Sequence, residues 1–146
     1  MLIEICKKTQ YACEYSITRD DTTQEHFTLE TKTYFLHDIC HYVIEKQLQF
    51  NKGFWGMLSI GHSLQELFGK ENPLTPELRF IEQIVGPIQS VYAGHLPKQQ
   101  FSQFINHLNF EISDLSLDNC LEEIATIQNH WRNLEIGKSI TLTWTL

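Results

Sequence analysis

The chain has 146 residues, 42% of them hydrophobic, 12% aromatic and 20% charged, which suits one globular domain and excludes a disordered, collagen-like or disulfide-dense chain. Eleven Lys and Arg against eighteen Asp and Glu give a formal charge of −7. Only Lys7 and Lys8 are adjacent cations, so the clustered Lys and Arg that neutralise phosphates are missing, and neither nucleic acid nor an anionic membrane surface is an expected partner.

Cys6, Cys13, Cys40 and Cys120 contain no C-x-x-C pair. The opening Met1–Cys6 stretch carries Glu4 inside its apolar residues and its lysines after them, the wrong order for a signal peptide. The longest largely apolar run, Gly53 to Gly61, is about half of the roughly 20 residues that a membrane span needs. A cytoplasmic chain with four reduced thiols is therefore expected.

Residues 2–30 read as three strands. Ile3 and Ile5, then Tyr11, Cys13, Tyr15 and Ile17, then Phe27 and Leu29 alternate with polar neighbours, the period-two mark of a half-buried sheet. From Tyr34 to Gln49 the period changes: Leu36, Ile39, Cys40, Val43, Ile44 and Leu48 recur every three or four residues, a helical stripe. Thr31 or Thr33 is the expected cap, and Gly53 the expected left-handed residue after the end. A second helix is predicted over 54–68 with Gly69 as its stop, its Gly56 and Gly61 tolerated for close packing against another helix. Thr75-Pro76-Glu77 signals the start of a third, which runs to Gly94 with a kink or break at Gly86-Pro87. Pro97 opens a short fourth helix, and a fifth starts near Asp118 and exits at Gly137. Ile140 to Leu146 alternate again, and this last strand has only the N-terminal strands to join. The sum is one α+β domain over residues 1–146, a small antiparallel sheet of N-terminal strands plus the C-terminal strand, packed against about five helices.

The residues best suited to chemistry share the first helix. With His37 at zero, His41 falls at about 40°, Glu45 at about 80° and Asp38 at about 100°, so four metal-ligating side chains occupy about a quarter of the circumference. Metalloproteases of the H-E-x-x-H type set two histidines and a glutamate on one helix. Here His37-Asp38-x-x-His41 puts an aspartate where that motif has its glutamate. The candidate metal set is Asp38, His41, Glu45 and, from the next helix, His62. The same face also reads as solvated charges making i,i+3 and i,i+4 pairs, or as a buried hydrogen-bonded cluster serving structure alone. The solvated face is the leading reading of the three. Two helix-borne ligands without a third fixed by local sequence make a poor site, so chelation is expected to leave stability unchanged.

Asp38-x-x-His41-x-x-x-Glu45 followed by Gly53-Phe54-Trp55-Gly56 and Gly61 resembles a signature in small bacterial hypothetical proteins of no assigned activity. The closing Trp131-x-x-Leu134-x-x-Gly137 with Ile140, Leu142 and Trp144 is similar to theirs, whereas Gly86-Pro87 departs from the pattern. The resemblance supplies no reaction or ligand, and marks Asp38, His41 and Glu45 as the polar residues to test first. No G-x-S-x-G, P-loop, Rossmann or EF-hand motif is present. The leading functional expectation is a non-catalytic interaction or ligand-binding module. The rival is a metal-dependent enzyme of hydrolase type, with a divalent metal on His41 and Glu45, Asp38 as orienter or base and His62 as third ligand. A third reading is a homodimeric structural or assembly subunit, because three Trp and nine Phe are many for one core to hide.

Overall fold

Period-two alternation builds the sheet. In a computed structural model, which describes residues 1–68 and 75–145, β1 (Leu2–Lys7), β2 (Ala12–Thr18), β3 (Gln24–Glu30) and β4 (Ser139–Thr143) form one antiparallel sheet in the order β3-β2-β1-β4. The first strand is thus central and the last strand pairs with it. Ile5 lies opposite Tyr15 on one side and Ile140 on the other, and Ile3 opposite Ile17 and Leu142. Ile3, Ile5, Tyr15, Ile17 and Ile140 all turn to the buried face. The ladder stops at Thr143, beyond which the Trp144 amide still donates to the Met1 carbonyl at 2.9 Å. Leu146, the last residue of the expected strand, lies outside the described residues.

Helix α1 (Leu36–Gln47) runs through the centre of the domain, and every residue from Asp38 to Glu45 is buried. Its outward hydrogen bonds reach the sheet: the Tyr42 hydroxyl donates to the Thr143 carbonyl at 2.9 Å. Neither Thr31 nor Thr33 caps it. Residues Thr31–Phe35 form a wide π-type turn that feeds directly into α1, and the Thr33 hydroxyl instead donates to Glu30. The left-handed residue after the helix is Gln49, at φ 59°, while Gly53 has φ −83° and starts the next helix.

The single helix expected over 54–68 is two short ones, α2 (Phe54–Ser59) and α3 (Leu64–Phe68). Gly61, at φ +108°, makes the break, and no atom lies near its Cβ position, so its role is conformational rather than close packing. A Cβ on Gly56 would meet the Asn51 backbone, so that glycine lets a loop, not a helix, approach. Ser63 and Glu66 open α3 with a reciprocal capping box, the Ser63 hydroxyl accepting from the Glu66 amide at 3.1 Å and the Glu66 carboxylate from the Ser63 amide at 2.9 Å. Gly69, the expected stop, lies outside the described residues. Arg19, buried at the end of β2, gathers this turn: its guanidinium donates to the carbonyls of Leu58 at 2.6 Å and His62 at 2.8 Å, and to Glu25 at 2.8 Å. The other Glu25 oxygen accepts from the Leu64 amide at 2.7 Å.

Helix α4 (Pro76–Tyr92) starts as its signal predicts, with the Thr75 hydroxyl accepting from the Leu78 amide at 3.1 Å. Of the kink or break expected at Gly86-Pro87, the break is absent: α4 is one continuous helix through Pro87. Pro87 removes the amide that would serve the Gln83 carbonyl. Pro97 leads through a 3₁₀ turn into α5 (Phe101–Ile105). Helix α6 (Asp114–Asn133) begins one turn before Asp118 because Ser113 caps it, accepting from the Ser116 amide at 3.1 Å. Its far end is closed by a cation: Lys7 Nζ donates to the Trp131 and Leu134 carbonyls, each at 2.9 Å. Phe35 stacks on Trp131 with centroids 4.2 Å apart, joining α6 to the start of α1.

No helix among the described residues is long and apolar enough to cross a membrane. All four cysteines are unpaired, with Cys6 partly exposed and Cys13, Cys40 and Cys120 buried. Burial pushes the Cys13 and Cys120 thiols up to about 11 and that of Cys40 up to about 12, so these three are protonated and shielded. Thiol titration without reductant should therefore find one group reacting in the native protein, and four after denaturation. A denatured count of two or none would reveal disulfides and contradict this arrangement.

Candidate functional site

A carboxylate taken wholly out of water destabilises the fold by several kcal/mol unless its oxygens are paired and hydrogen-bonded. Glu45 is fully buried, and both its oxygens are served. Oε1 accepts from His41 Nδ1 and from the Phe54 amide, each at 2.8 Å, and Oε2 accepts from the Trp55 amide at 3.0 Å. Phe54 and Trp55 are the first residues of α2, whose opening amides have no acceptor within their own helix. Glu45 therefore caps α2 from α1. Gly53 is the residue that lets it in: a Cβ there would occupy the position of the Glu45 carboxylate.

The other nitrogen of His41 points to α4. Nε2 lies 3.0 Å from Glu82 Oε1. With a carboxylate on each nitrogen, both nitrogens carry hydrogen and the ring is an imidazolium. Burial pulls its pKa down, and the hydrogen bonds to Glu45 and Glu82 overcome it, raising the group to about 9. Partial burial would by itself raise the Glu82 carboxyl, but hydrogen bonds from His37 and His41 hold it well below the usual carboxylate range. His37, one turn before His41, places Nε2 3.7 Å from the second Glu82 oxygen and Nδ1 3.0 Å from Gln89 Oε1. Glu82 is also the main reason that the His37 pKa is raised. The two imidazoles meet edge to face, centroids 4.7 Å apart.

Asp38 is held differently. Its Oδ2 accepts from the Tyr15 hydroxyl at 2.9 Å, and its backbone carbonyl from Trp55 Nε1 at 3.0 Å. Burial pushes this carboxyl up to about 6, with the Tyr15 hydrogen bond pulling the other way. Burial and the neighbouring Asp38 raise the Tyr15 phenol in turn.

These groups wall a cavity of about 200 Å³ between α1 and α4. His37, Asp38, His41 and Glu82 form its polar side, and Phe54, Leu67 and Leu78 its apolar side. The solvated-face reading of α1 is thereby overturned, since Asp38 and His41 are each 2% exposed and Glu45 is 0%. A helix crossing the middle of the domain has no solvated side along these residues. Of the four candidate metal residues, Asp38, His41 and Glu45 come together on α1, with Glu45 turned toward the α2 backbone. His62 stands apart in the α2–α3 turn, its Nδ1 3.6 Å from exposed Glu66. The ligand atoms that converge belong to His37, His41 and Glu82, all within 4.8 Å of one another.

Glu82, Gln89 and Tyr15 escaped the sequence reading, although each left a trace. Glu82 and Gln89 are seven residues apart and so share one face of α4, on the margin of the stripe made by Ile81, Ile84, Val85 and Ile88. Tyr15 occupies an inward position of the β2 alternation, where a phenol needs a buried acceptor. Comparison with protein-family models, curated proteins and solved structures finds no match to this chain.

The cap geometry predicts the stability of two variants. Glu45→Ala leaves an imidazolium and two amides short of an acceptor and should destabilise by roughly 3–5 kcal/mol. Gly53→Ala forces a carbon against the carboxylate and should lose roughly 1–3 kcal/mol. Urea unfolding measures both, and losses within about 0.5 kcal/mol, as for ordinary surface changes, would show that Glu45 does not anchor this region.

Proposed function

We propose that the chain is a non-catalytic binding module whose ligand sits in the cavity between α1 and α4, against His37, Asp38, His41 and Glu82. The supporting observation is where the charges lie. They gather on the wall of a cavity, and the outermost two, His37 and Glu82, keep 37% and 34% of their side chains exposed. A cluster serving stability alone has a better solution, because apolar side chains of similar volume at such a helix contact are often as stabilising or more so and would close the space.

At about 200 Å³ the cavity is smaller than the roughly 300–1,000 Å³ typical of drug-sized ligands, so the ligand is an ion or a molecule of a few heavy atoms. The likeness to small bacterial proteins has a physical content on this reading. The D-x-x-H-x-x-x-E helix and the G-F-W-G turn are two halves of one scaffold, in which Glu45 holds Gly53–Trp55 and so places Phe54 on the cavity wall. Unpaired cysteines fit a cytoplasmic setting for this module.

Thermal unfolding against a panel of divalent cations, small carboxylic acids and small amines tests the proposal. At least one class should raise Tm, since a ligand at a hundredfold excess over its Kd stabilises the native state by about 2.7 kcal/mol. That rise should vanish in Glu82→Gln. If no class raises Tm, or if the rise persists in Glu82→Gln, the cavity is not the binding site.

A further inference from the structure

We propose that the ligand is a divalent transition-metal ion of the zinc type, bound by His37 Nε2, His41 Nε2 and the Glu82 carboxylate, with Gln89 and Glu45 orienting the two imidazoles. This identification rests on the binding reading above and names its ligand.

The first argument is the orientation of the rings. Metal-ligating histidines give their other nitrogen's hydrogen to a carboxylate or carbonyl oxygen, which fixes the tautomer and aims the ligating lone pair. Both histidines here are built that way. His41 Nδ1 lies 2.8 Å from Glu45 Oε1, and His37 Nδ1 lies 3.0 Å from Gln89 Oε1. Each ring therefore has Nε2 left to face the centre. A surface ion pair needs neither partner behind it.

The second argument is convergence. The two Nε2 atoms face the two oxygens of one carboxylate, at 3.0 and 3.7 Å. Metal–donor lengths of about 2.1 Å in a tetrahedral site put neighbouring donors about 3.4 Å apart, and one ligand atom from each of the three residues lies within 4.8 Å of the others, so small side-chain rotations bring the set around one ion. His37 and His41 stand one turn apart on α1, and Glu82 on α4, so two long helices carry all three donors. Two imidazoles and a carboxylate suit zinc, cobalt or nickel, whereas magnesium and calcium prefer oxygen alone.

The third argument is charge. The ion takes the place of the hydrogens that His41 Nε2 and His37 Nε2 direct at Glu82, and both displaced protons leave to solvent. With both imidazoles neutral, the ion's two positive charges offset Glu45 and Glu82, and the Asp38 carboxyl on the same wall adds a further acidic group. All three donor residues line the cavity, so an ion held by them would be reached from that side by water or a small exogenous ligand. Local sequence offered no third ligand, and α4 supplies it.

Cobalt titration of the full chain, freed of metal by chelation and dialysis, provides the test. One equivalent of Co²⁺ should bind with visible ligand-field bands, Zn²⁺ should displace it, and Mg²⁺ and Ca²⁺ should not compete. His37→Ala is the safe variant, because that side chain is partly exposed, and it should weaken cobalt binding at least about 100-fold. Gln89→Ala should weaken it roughly 10-fold, as loss of a residue that orients a ligand does. His62→Ala should leave it unchanged, and circular dichroism checks that each variant is folded. Failure to bind one Co²⁺, or binding that survives His37→Ala, overturns the metal assignment. If cobalt fails while an organic acid or amine raises Tm in a Glu82-dependent way, the binding module stands and its metal does not. If no probe binds, both readings fall.

Discussion

The carboxylate of Glu45 is the point on which the helical layer depends. A buried charge is tolerated only where every lone pair has a donor, and Glu45 finds its donors on two elements at once: His41 within α1 and the first two amides of α2. One side chain therefore sets the orientation of an imidazole and the start of the next helix. Several neighbours follow from that placement. Gly53 is bare because the carboxylate fills its Cβ position. Trp55, started in register by Glu45, returns its indole hydrogen bond to the Asp38 carbonyl, about two turns before Glu45 along α1. The link closes a loop of chain between Asp38 and Trp55, and Tyr15 of β2 touches both of its ends, donating to Asp38 and stacking on Trp55.

Short helices in this domain are held by side chains from other elements rather than by their own propensity. Isolated helices of five or six residues are unstable in water because nucleation is costly, yet α2 and α3 are of that length. Glu45 supplies acceptors for α2, and Glu25 from β3 supplies one for α3. Arg19 ties the carbonyls of Leu58 and His62 to the same Glu25. Lys7 performs the complementary service at the C-terminal end of α6. The sheet and the helices are thus joined by buried and partly buried charges as well as by the apolar core.

The polar cluster at the α1–α4 contact combines both roles. Behind it, Glu45 is committed to structure. In front, Glu82 and His37 reach the cavity with part of their surface in solvent. Asp38 is held to the sheet through Tyr15 rather than by a directly bonded cation, which leaves its charge state governed by burial. Such graded exposure places a rigid inner group behind adaptable outer ones, the arrangement by which supporting residues hold ligating residues in position.

The sequence by itself determined the sheet and the main helices, because period-two and period-3.6 patterns are local consequences of which face is buried. The closure of the sheet by the last strand followed as well, since β4 had no other strands to join. The grouping of Asp38, His41 and Glu45 on one side of a helix was also legible from spacing alone. Their burial was not, because a polar face on a helix reads as solvated until α2 and α4 are seen to cover it. The break at Gly61 was hidden because an apolar run and a helix-compatible spacing continue past it, while the groups that hold the turn, Arg19 on the Leu58 and His62 carbonyls and Glu25 on the Leu64 amide, come from across the fold. Only tertiary structure could bring Glu82 and Gln89 to the two histidines, as they lie more than forty residues away along the chain. A site assembled from two helices has no local period to betray it; its geometry is decided by which faces pack together.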